Sequence, residues 1–171
     1  MLAGEGGVCS DRVQIFNNFC VLNDIQVREW GVTSIPFDRW YGGHSFNEVY
    51  IPSMDKWITI DVSYCGFFYT AGKPLPLSTI ELFELIRLRT IVHFETFHDT
   101  IINTEKTIQK NYLHPNASPF LVSQYKNMVY DSYLKRFRGY LPVFVIHFMV
   151  YLSGKSYRYQ FPLDDYRLIF S

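Results

Sequence analysis

Residues 44–61 have the sequence HSFNEVYIPSMDKWITID. Two strand-like runs, 44–51 and 56–62, flank Pro52-Ser53-Met54-Asp55, a group typical of a turn. The pattern predicts an antiparallel β-hairpin. If the hairpin is centred between Pro52 and Ser53, His44 lies directly opposite Asp61. Side chains so paired have Cβ atoms about 5 Å apart, which lets an acid fix the tautomer and orientation of a histidine.

The alternation of side chains along this hairpin predicts two different faces. We expect the face that carries His44 and Asp61 to serve chemistry and the other face to pack in the core. The residues on that other face are Ser45, Asn47, Val49, Ile58, Ile60 and Val62.

Upstream of the hairpin, Cys9 stands at the predicted start of an amphipathic helix. After the glycine-rich residues 4–7, the spacing of three and four residues that indicates a helix is kept by Val13, Phe16, Phe19, Cys20 and Asn23. Ser10 and Asp11 fit the preferences of a helix start. A helix N-terminus favours a thiolate over a thiol, and its free N–H groups can receive an oxyanion. Cys9, His44 and Asp61 are therefore candidates for nucleophile, base and orienting acid.

Each of the three residues also has an ordinary structural interpretation. Cys9 alone would be a small buried apolar residue, His44 a loop histidine and Asp61 a cap at a strand end. For any single residue that interpretation is favoured. The three together, in this arrangement, favour a catalytic site.

The same stretches resemble the core of the transglutaminase-like superfamily. That core has a Gly-x-Cys that opens a helix, a strand that ends in Arg, a His-aromatic-x-Glu-Val-Tyr strand and a Trp-x-x-x-Asp strand. The equivalents here, in the same order, are Gly7-Val8-Cys9, residues 25–28, residues 44–50 and residues 57–61. The resemblance covers residues 4–65 and is to bacterial-type members.

The resemblance implies an α+β fold with a papain-like core. Cys9 would lie at a helix N-terminus, with His44 and Asp61 on adjacent antiparallel strands. It also implies a cysteine peptidase, amidase or acyltransferase that acts on peptide or protein amide bonds through an acyl-enzyme. Cys9 would be the nucleophile, His44 the base and then the acid, and Asp61 the residue that orients His44. Between hydrolysis and transfer to an amine, the resemblance leans towards hydrolysis, and it implies no cofactor.

The chain departs from the family pattern in three places. Phe46 stands where Trp is common, and Val62-Ser63 replaces the usual Pro-Thr. Only eight residues precede Cys9, where family members have helices and a further oxyanion-hole side chain, so we expect a fragment or a reduced member. Two other functions stay open: an interaction module that keeps the fold without turnover, and an acyltransferase for arylamine-type acceptors.

The composition changes near residue 75, where Gly72, Pro74 and Pro76 suggest a linker. We expect a catalytic core over residues 1–75 and a mainly helical extension over residues 76–171. Within the extension, Ser78-Thr79-Ile80-Glu81 predicts a capped helix up to about Leu88. Helices are also expected over 91–112 and 117–138. A hairpin is expected from 143–152 and 157–161, with a helix as the alternative for 143–152.

Composition excludes several kinds of partner. Lys plus Arg equals Asp plus Glu, 16 each, so no basic field favours nucleic acid. Three irregularly spaced cysteines favour neither a disulfide framework nor zinc. A metal site is not expected either, because a helix would direct the candidate ligands away from one another; they are His93, Glu95, His98 and Asp99.

The longest apolar run, residues 141–152, is too short to cross a membrane as a helix. We expect a soluble protein with no integral membrane segment, and the family resemblance implies a peptide or protein as its substrate. No signal peptide is visible, so the sequence assigns no localisation and the cytoplasm is the default. For the flanking Lys135, Arg136 and Arg138 we favour a solvated helix face. A role of the run on a membrane surface stays open, and the sequence assigns no oligomeric state.

Overall fold

The structure is a computed structural model and describes residues 8–36, 41, 43–72, 75–97, 104–123 and 127–164. Within these residues the fold is α+β, with seven strands in one antiparallel sheet and five α-helices. The elements, in chain order, are α1 (Cys9–Leu22), β1 (Val27–Ser34), β2 (His44–Ile51), β3 (Lys56–Asp61), β4 (Gly66–Thr70), α2 (Thr79–Arg87), β5 (Val92–Thr96), α3 (Thr104–Asn111), β6 (Ala117–Ser123), α4 (Asn127–Phe137), α5 (Val143–Leu152) and β7 (Arg158–Gln160). The strand order is β5-β4-β3-β2-β1-β6-β7.

The hairpin of β2 and β3 is present, but its register differs from the predicted one. Asn47 pairs with Ile60 and Tyr50 with Trp57, so the direct opposition of His44 and Asp61 was wrong by two residues. The turn takes the four predicted residues, with a 3₁₀ turn over Pro52–Met54 and then Asp55 in the left-handed conformation (φ 47°), so the hairpin is centred between Ser53 and Met54 rather than between Pro52 and Ser53. A shift of two residues leaves every side chain on its predicted face.

Both faces of the sheet are covered, so the predicted division into a core face and a chemical face was wrong. The main hydrophobic core lies on the face of His44, and includes Trp30, Val32, Phe46, Phe68, Leu82, Phe83 and Tyr112. On the opposite face, the buried Asn47 donates a hydrogen bond from Nδ2 to the carbonyl oxygen of Val13 in α1 (3.3 Å). The site is therefore built into the edge of a core rather than onto a bare sheet.

Helix α1 begins at Cys9, as predicted. Its N-cap is Val8 rather than Ser10, and the backbone N–H of Val8 donates to Asp11 Oδ2 (3.0 Å). Val13 and Cys20 are buried, whereas Phe19 is 62% exposed and lies outside the packed stripe.

Helix α2 begins with the predicted capping signal. Ser78 Oγ accepts from the N–H of Glu81 (3.3 Å), and Glu81 Oε2 accepts from the N–H of Ser78 (2.8 Å). Each of the two side chains thus accepts from a backbone N–H group that has no partner within the first turn of the helix.

The predicted helices over 91–112 and 117–138 were wrong at residues 92–96 and 117–123. Residues 92–96 form β5, where Phe94 packs on Phe68 of β4 with ring centroids 4.9 Å apart. Residues 117–123 form β6, and the helices α3 and α4 follow the two strands. Pairing with a neighbouring strand prevailed over local helix propensity in both segments.

The hairpin expected from 143–152 and 157–161 was wrong and the alternative, a helix over 143–152, is confirmed, because these residues form α5. Ile146 and Val150, one helical turn apart, are fully buried on one side of the helix. Packing of α5 on α4 explains why a run rich in valine and aromatic residues is helical here.

The chain divides into two compact units. Unit 1 comprises residues 1–121 and 161–171, and unit 2 comprises residues 122–160. This differs from the boundary expected near residue 75, since Leu77, Leu82 and Phe83 belong to the core of unit 1. Within the described residues, no helix is long and apolar enough to span a membrane.

Candidate active site

The structure brings Cys9, His44 and Asp61 together at one end of unit 1. Gly43 turns the chain into β2 with φ 69°, a conformation that favours glycine, and His44 follows as the first residue of the strand. His44 Nε2 lies 2.8 Å from Asp61 Oδ2, and both side chains are buried. Although the two residues are diagonal in the sheet rather than opposed, they form the predicted hydrogen bond.

Asp61 is held by donors on both of its oxygens. Oδ1 accepts from the backbone N–H groups of Ser63 (2.8 Å) and Tyr64 (3.0 Å). Oδ2 accepts from the hydroxyl of Tyr112 (2.6 Å) as well as from His44. A fully buried carboxylate with four donors has little freedom to rotate, so it fixes the ring of His44.

Since Nε2 of His44 is engaged by Asp61, Nδ1 is the ring nitrogen left for the thiol of Cys9. The hydrogen bond with His44 is the largest influence on the thiol, and it lowers the pKa of Cys9. Burial opposes this change, while the backbone N–H groups of Ser45 and Ser10 support it. The start of α1 and the start of β2 therefore both stabilise a thiolate at Cys9.

The imidazole of His44 is poised to carry a proton. Burial disfavours its charge, but the hydrogen bonds to Asp61 and Cys9 outweigh burial and raise the pKa of His44 to about 9. These two opposite shifts favour transfer of the thiol proton to the imidazole, which gives a thiolate–imidazolium pair.

Two tyrosines enclose the ring of His44. Tyr64 stacks on it with centroids 5.0 Å apart, and Tyr112 meets it edge-on at 5.7 Å. Asn111 donates from Nδ2 to the hydroxyl of Tyr64 (3.4 Å), and its carbonyl oxygen accepts from the buried hydroxyl of Tyr41. The histidine is thus positioned by an aromatic shell as well as by Asp61.

Two polar contacts tie α1 to the hairpin. Arg12 donates from Nη1 to the carbonyl oxygen of Ser63 (3.1 Å), next to the loop that holds Asp61. Asn47 donates from Nδ2 to Asn17 Oδ1 (2.8 Å). These contacts hold the helix that carries Cys9 against the strands that carry His44 and Asp61.

Other residues of the stretches that resemble the family pattern stabilise the fold away from the Cys9 thiol. Glu48, on the same face as His44, is buried and accepts from Trp30 Nε1 (2.9 Å) and from the N–H of Thr79 at the start of α2 (2.9 Å). Arg28 lies 3.7 Å from Glu48 and stacks over the ring of Trp57. Glu48 therefore anchors α2 to the sheet.

The candidate metal ligands in the sequence were His93, Glu95, His98 and Asp99. His93 and Glu95 lie on β5, while His98 and Asp99 lie outside the described residues. Where the structure describes the chain, no three His, Cys, Asp or Glu side chains are grouped so that they could hold a metal ion.

Sequence reasoning missed Tyr112, Tyr64 and the backbone N–H of Ser45. Tyr112 lies 51 residues from Asp61 in the chain, and no local pattern indicates their contact. Tyr64 had a weak signal, because it follows Asp61 by three residues at a strand end.

The three cysteines differ in environment. Cys9 is half-buried beside His44, whereas Cys20 is buried in α1 and burial raises its pKa. Cys65 is half-buried in the turn before β4. Among the three, Cys9 has the surroundings that activate a nucleophile.

Comparison with known proteins finds no matching family model, no matching curated protein and no matching solved structure. A thiol of lowered pKa, a histidine that can carry its proton and a fixed carboxylate are the components of nucleophilic acyl transfer.

Proposed function

We propose that this protein is a transglutaminase-like cysteine enzyme with a papain-like core, acting on peptide or protein amide bonds through an acyl-enzyme. The observation that carries the proposal is the position of the Cys9 thiol. It lies between the N-terminus of α1 and the ring of His44, whose other nitrogen is bound by the buried Asp61.

In the first step, the thiolate of Cys9 attacks the carbonyl carbon of the amide. The oxyanion that forms is stabilised by N–H groups of the first turn of α1. As the C–N bond breaks, His44 gives its proton to the leaving amine, and a thioester on Cys9 remains. Asp61 keeps the ring of His44 in place and stabilises its charged form.

In the second step, His44 takes a proton from water or from an acceptor amine, which attacks the thioester. Water yields a carboxylic acid and an amine yields a new amide; either reaction returns Cys9 to its free form. Both outcomes need the same residues, so the acceptor is set by access to the thioester rather than by the triad.

The test is incubation with a mixture of cell-derived peptides in the presence of hydroxylamine, followed by mass spectrometry. New carboxylic acids report hydrolysis, and hydroxamates report transfer to an amine. We expect products from the wild type and from Cys65→Ala, the matched control at another half-buried cysteine, and none from Cys9→Ala. Products that are absent from the wild type, or equal in Cys9→Ala, would contradict the enzyme and favour a non-catalytic interaction module.

A further inference from the structure

Helix α5 in unit 2 has an exposed face made of large apolar side chains. Phe144 is 74% exposed and Leu152 is 67% exposed. Phe148 and Tyr151 lie between them at helical spacing and are also more than half exposed. We call these four residues the apolar face of α5. Leaving four such side chains in water is unfavourable, which indicates that the face has a partner.

The opposite side of α5 already has its packing partner. Ile146 and Val150 are fully buried, and α5 packs on α4, where Tyr130 meets the ring of His147 at 5.3 Å. The helix is therefore fixed by its own unit while the apolar face stays outward. No rearrangement of unit 2 is needed to present it.

Unit 2 is strongly basic although the whole chain is neutral. Residues 122–160 contain six Lys and Arg against a single Asp, a net charge of +5. Three of these cations, Lys135, Arg136 and Arg138, are exposed at the end of α4 and in the turn that leads to α5. An exposed apolar face and a basic cluster near it in the chain supply the two attractions that bind a protein to an anionic membrane, burial of apolar side chains and opposite charge.

The dimensions and side chains of α5 agree with such a position. Ten residues give a helix of about 15 Å, too short to cross the hydrocarbon core, so it would lie along the surface. Tyr140 is 86% exposed just before α5, and Tyr151 belongs to the apolar face. Tyrosine favours the boundary between headgroups and acyl chains.

We propose that the apolar face of α5, with Lys135, Arg136 and Arg138, docks unit 2 on an anionic membrane surface. A second copy of the chain fits the same face less well. A symmetric contact there would bring two basic clusters together, and like charges across an interface are unfavourable. Anionic lipids offer both the apolar medium and the opposite charge.

The experiment is co-sedimentation of the full chain with vesicles of equal parts phosphatidylcholine and phosphatidylserine, compared with phosphatidylcholine alone. We expect binding to the mixed vesicles that weakens with added salt. Phe144→Ser with Phe148→Ser should lower the partition coefficient on the order of 100-fold. Lys135→Gln with Arg136→Gln should lower it about 30-fold. Phe97→Ser, at an exposed phenylalanine of unit 1, is the matched control and should bind as the wild type does.

Because all these side chains are exposed, the variants should keep the wild-type unfolding temperature, which calorimetry checks. Three results would overturn the proposal: no sedimentation with the mixed vesicles at low salt, equal binding to both kinds of vesicle, or equal loss in Phe97→Ser. A concentration-dependent dimer that Phe144→Ser with Phe148→Ser abolishes, without vesicle binding, would assign the face to a second copy instead. None of these readouts depends on the reactivity of Cys9.

Discussion

Asp61 and Glu48 are both buried carboxylates on one face of the β2–β3 hairpin, yet they hold different parts of the molecule. Asp61, at the open end, accepts from His44 and Tyr112 and from two backbone N–H groups. Glu48, in the neighbouring strand β2, accepts from Trp30 Nε1 and from the backbone N–H of Thr79 at the start of α2. In our proposal, a carboxylate serves chemistry where its partner is a histidine beside a thiol, whereas it serves folding where its partners cannot titrate.

A third carboxylate, Glu29, shows what happens when partners are few. It lies on the opposite face of the sheet, opposite Asn47 in the pairing of β1 and β2. Among the described side chains, its hydrogen-bond donor is Asn17, whose Nδ2 lies 3.3 Å from Oε2. Burial raises the pKa of Glu29 to about 7. Burial of a carboxylate without enough donors therefore costs stability, which Asp61 and Glu48 avoid by pairing.

The largest effect should come from removing the imidazole of His44, at the open end of the hairpin. His44→Ala removes the group proposed to transfer the proton, and we expect the rate of product formation from the peptide mixture to fall about 1000-fold. His93→Ala, at a half-buried histidine of β5, is the matched control and should keep the rate. A rate for His44→Ala within tenfold of the wild type would contradict the proposed role.

Removing the carboxylate of Glu48 should lower stability and leave the reactivity of Cys9 unchanged. Glu48→Ala leaves Trp30 Nε1 and the N–H of Thr79 buried without their acceptor, so we expect the free energy of unfolding to fall by about 3 kcal/mol. Urea denaturation measures it, with the exposed Glu84→Ala of α2 as the control. The folded fraction should alkylate at Cys9 as the wild type does. Loss of Cys9 alkylation in protein that is still folded would mean that Glu48 also determines the geometry around Cys9.

Glu29→Gln should stabilise the protein in a pH-dependent way. The folded pKa of about 7 lies above the ordinary 4.5, so the stability tied to the protonated form is complete below about pH 4.5 and is lost as pH rises through about 7. The variant should therefore gain about 1 to 2 kcal/mol at about pH 8 and little at about pH 4.5. Urea denaturation at both pH values tests this. Equal gains at the two pH values, or a gain in the exposed Glu95→Gln, would contradict the role of burial.

The smallest effect should come from one donor of Asp61. Tyr112→Phe removes a hydrogen bond to Oδ2 but leaves His44 in place, so we expect a loss of about 1 kcal/mol in stability and a fall of about three- to tenfold in rate. Tyr41→Phe removes a buried hydroxyl that does not contact Asp61, and it should lower stability alone. Equal falls in rate for both variants would show that Tyr112 acts only through stability.

The sequence predicted the parts of the site that local patterns encode. The start of α1 at Cys9, the bounds of β2 and the cap of α2 follow from glycine placement, alternation and capping chemistry. The register was wrong because the hairpin was centred between Pro52 and Ser53, whereas the turn over residues 52–55 places its centre between Ser53 and Met54. Each side chain of the hairpin nevertheless lies on its predicted face of the sheet, since a shift of two residues preserves the faces, although the core lies on the face of His44.

What the sequence did not predict depends on distant partners. Tyr112 reaches Asp61 only because α3 and the loop after it fold back on the sheet. The strand β5 was predicted as a helix, and α5 was left open between strand and helix, because β4 and α4, rather than local propensity, determine their structure. Contacts between elements far apart in sequence decided each of these points.

The most direct test of the central claim is the pH dependence of Cys9 alkylation by iodoacetamide. In a Cys20→Ala, Cys65→Ala background, Cys9 is the single thiol, so the midpoint of the rate profile reports its pKa alone. We expect a midpoint clearly below the ordinary value of about 8.5, and a rise towards that value when His44→Ala is added. A midpoint near 8.5 that His44→Ala does not change would contradict an activated thiol at Cys9.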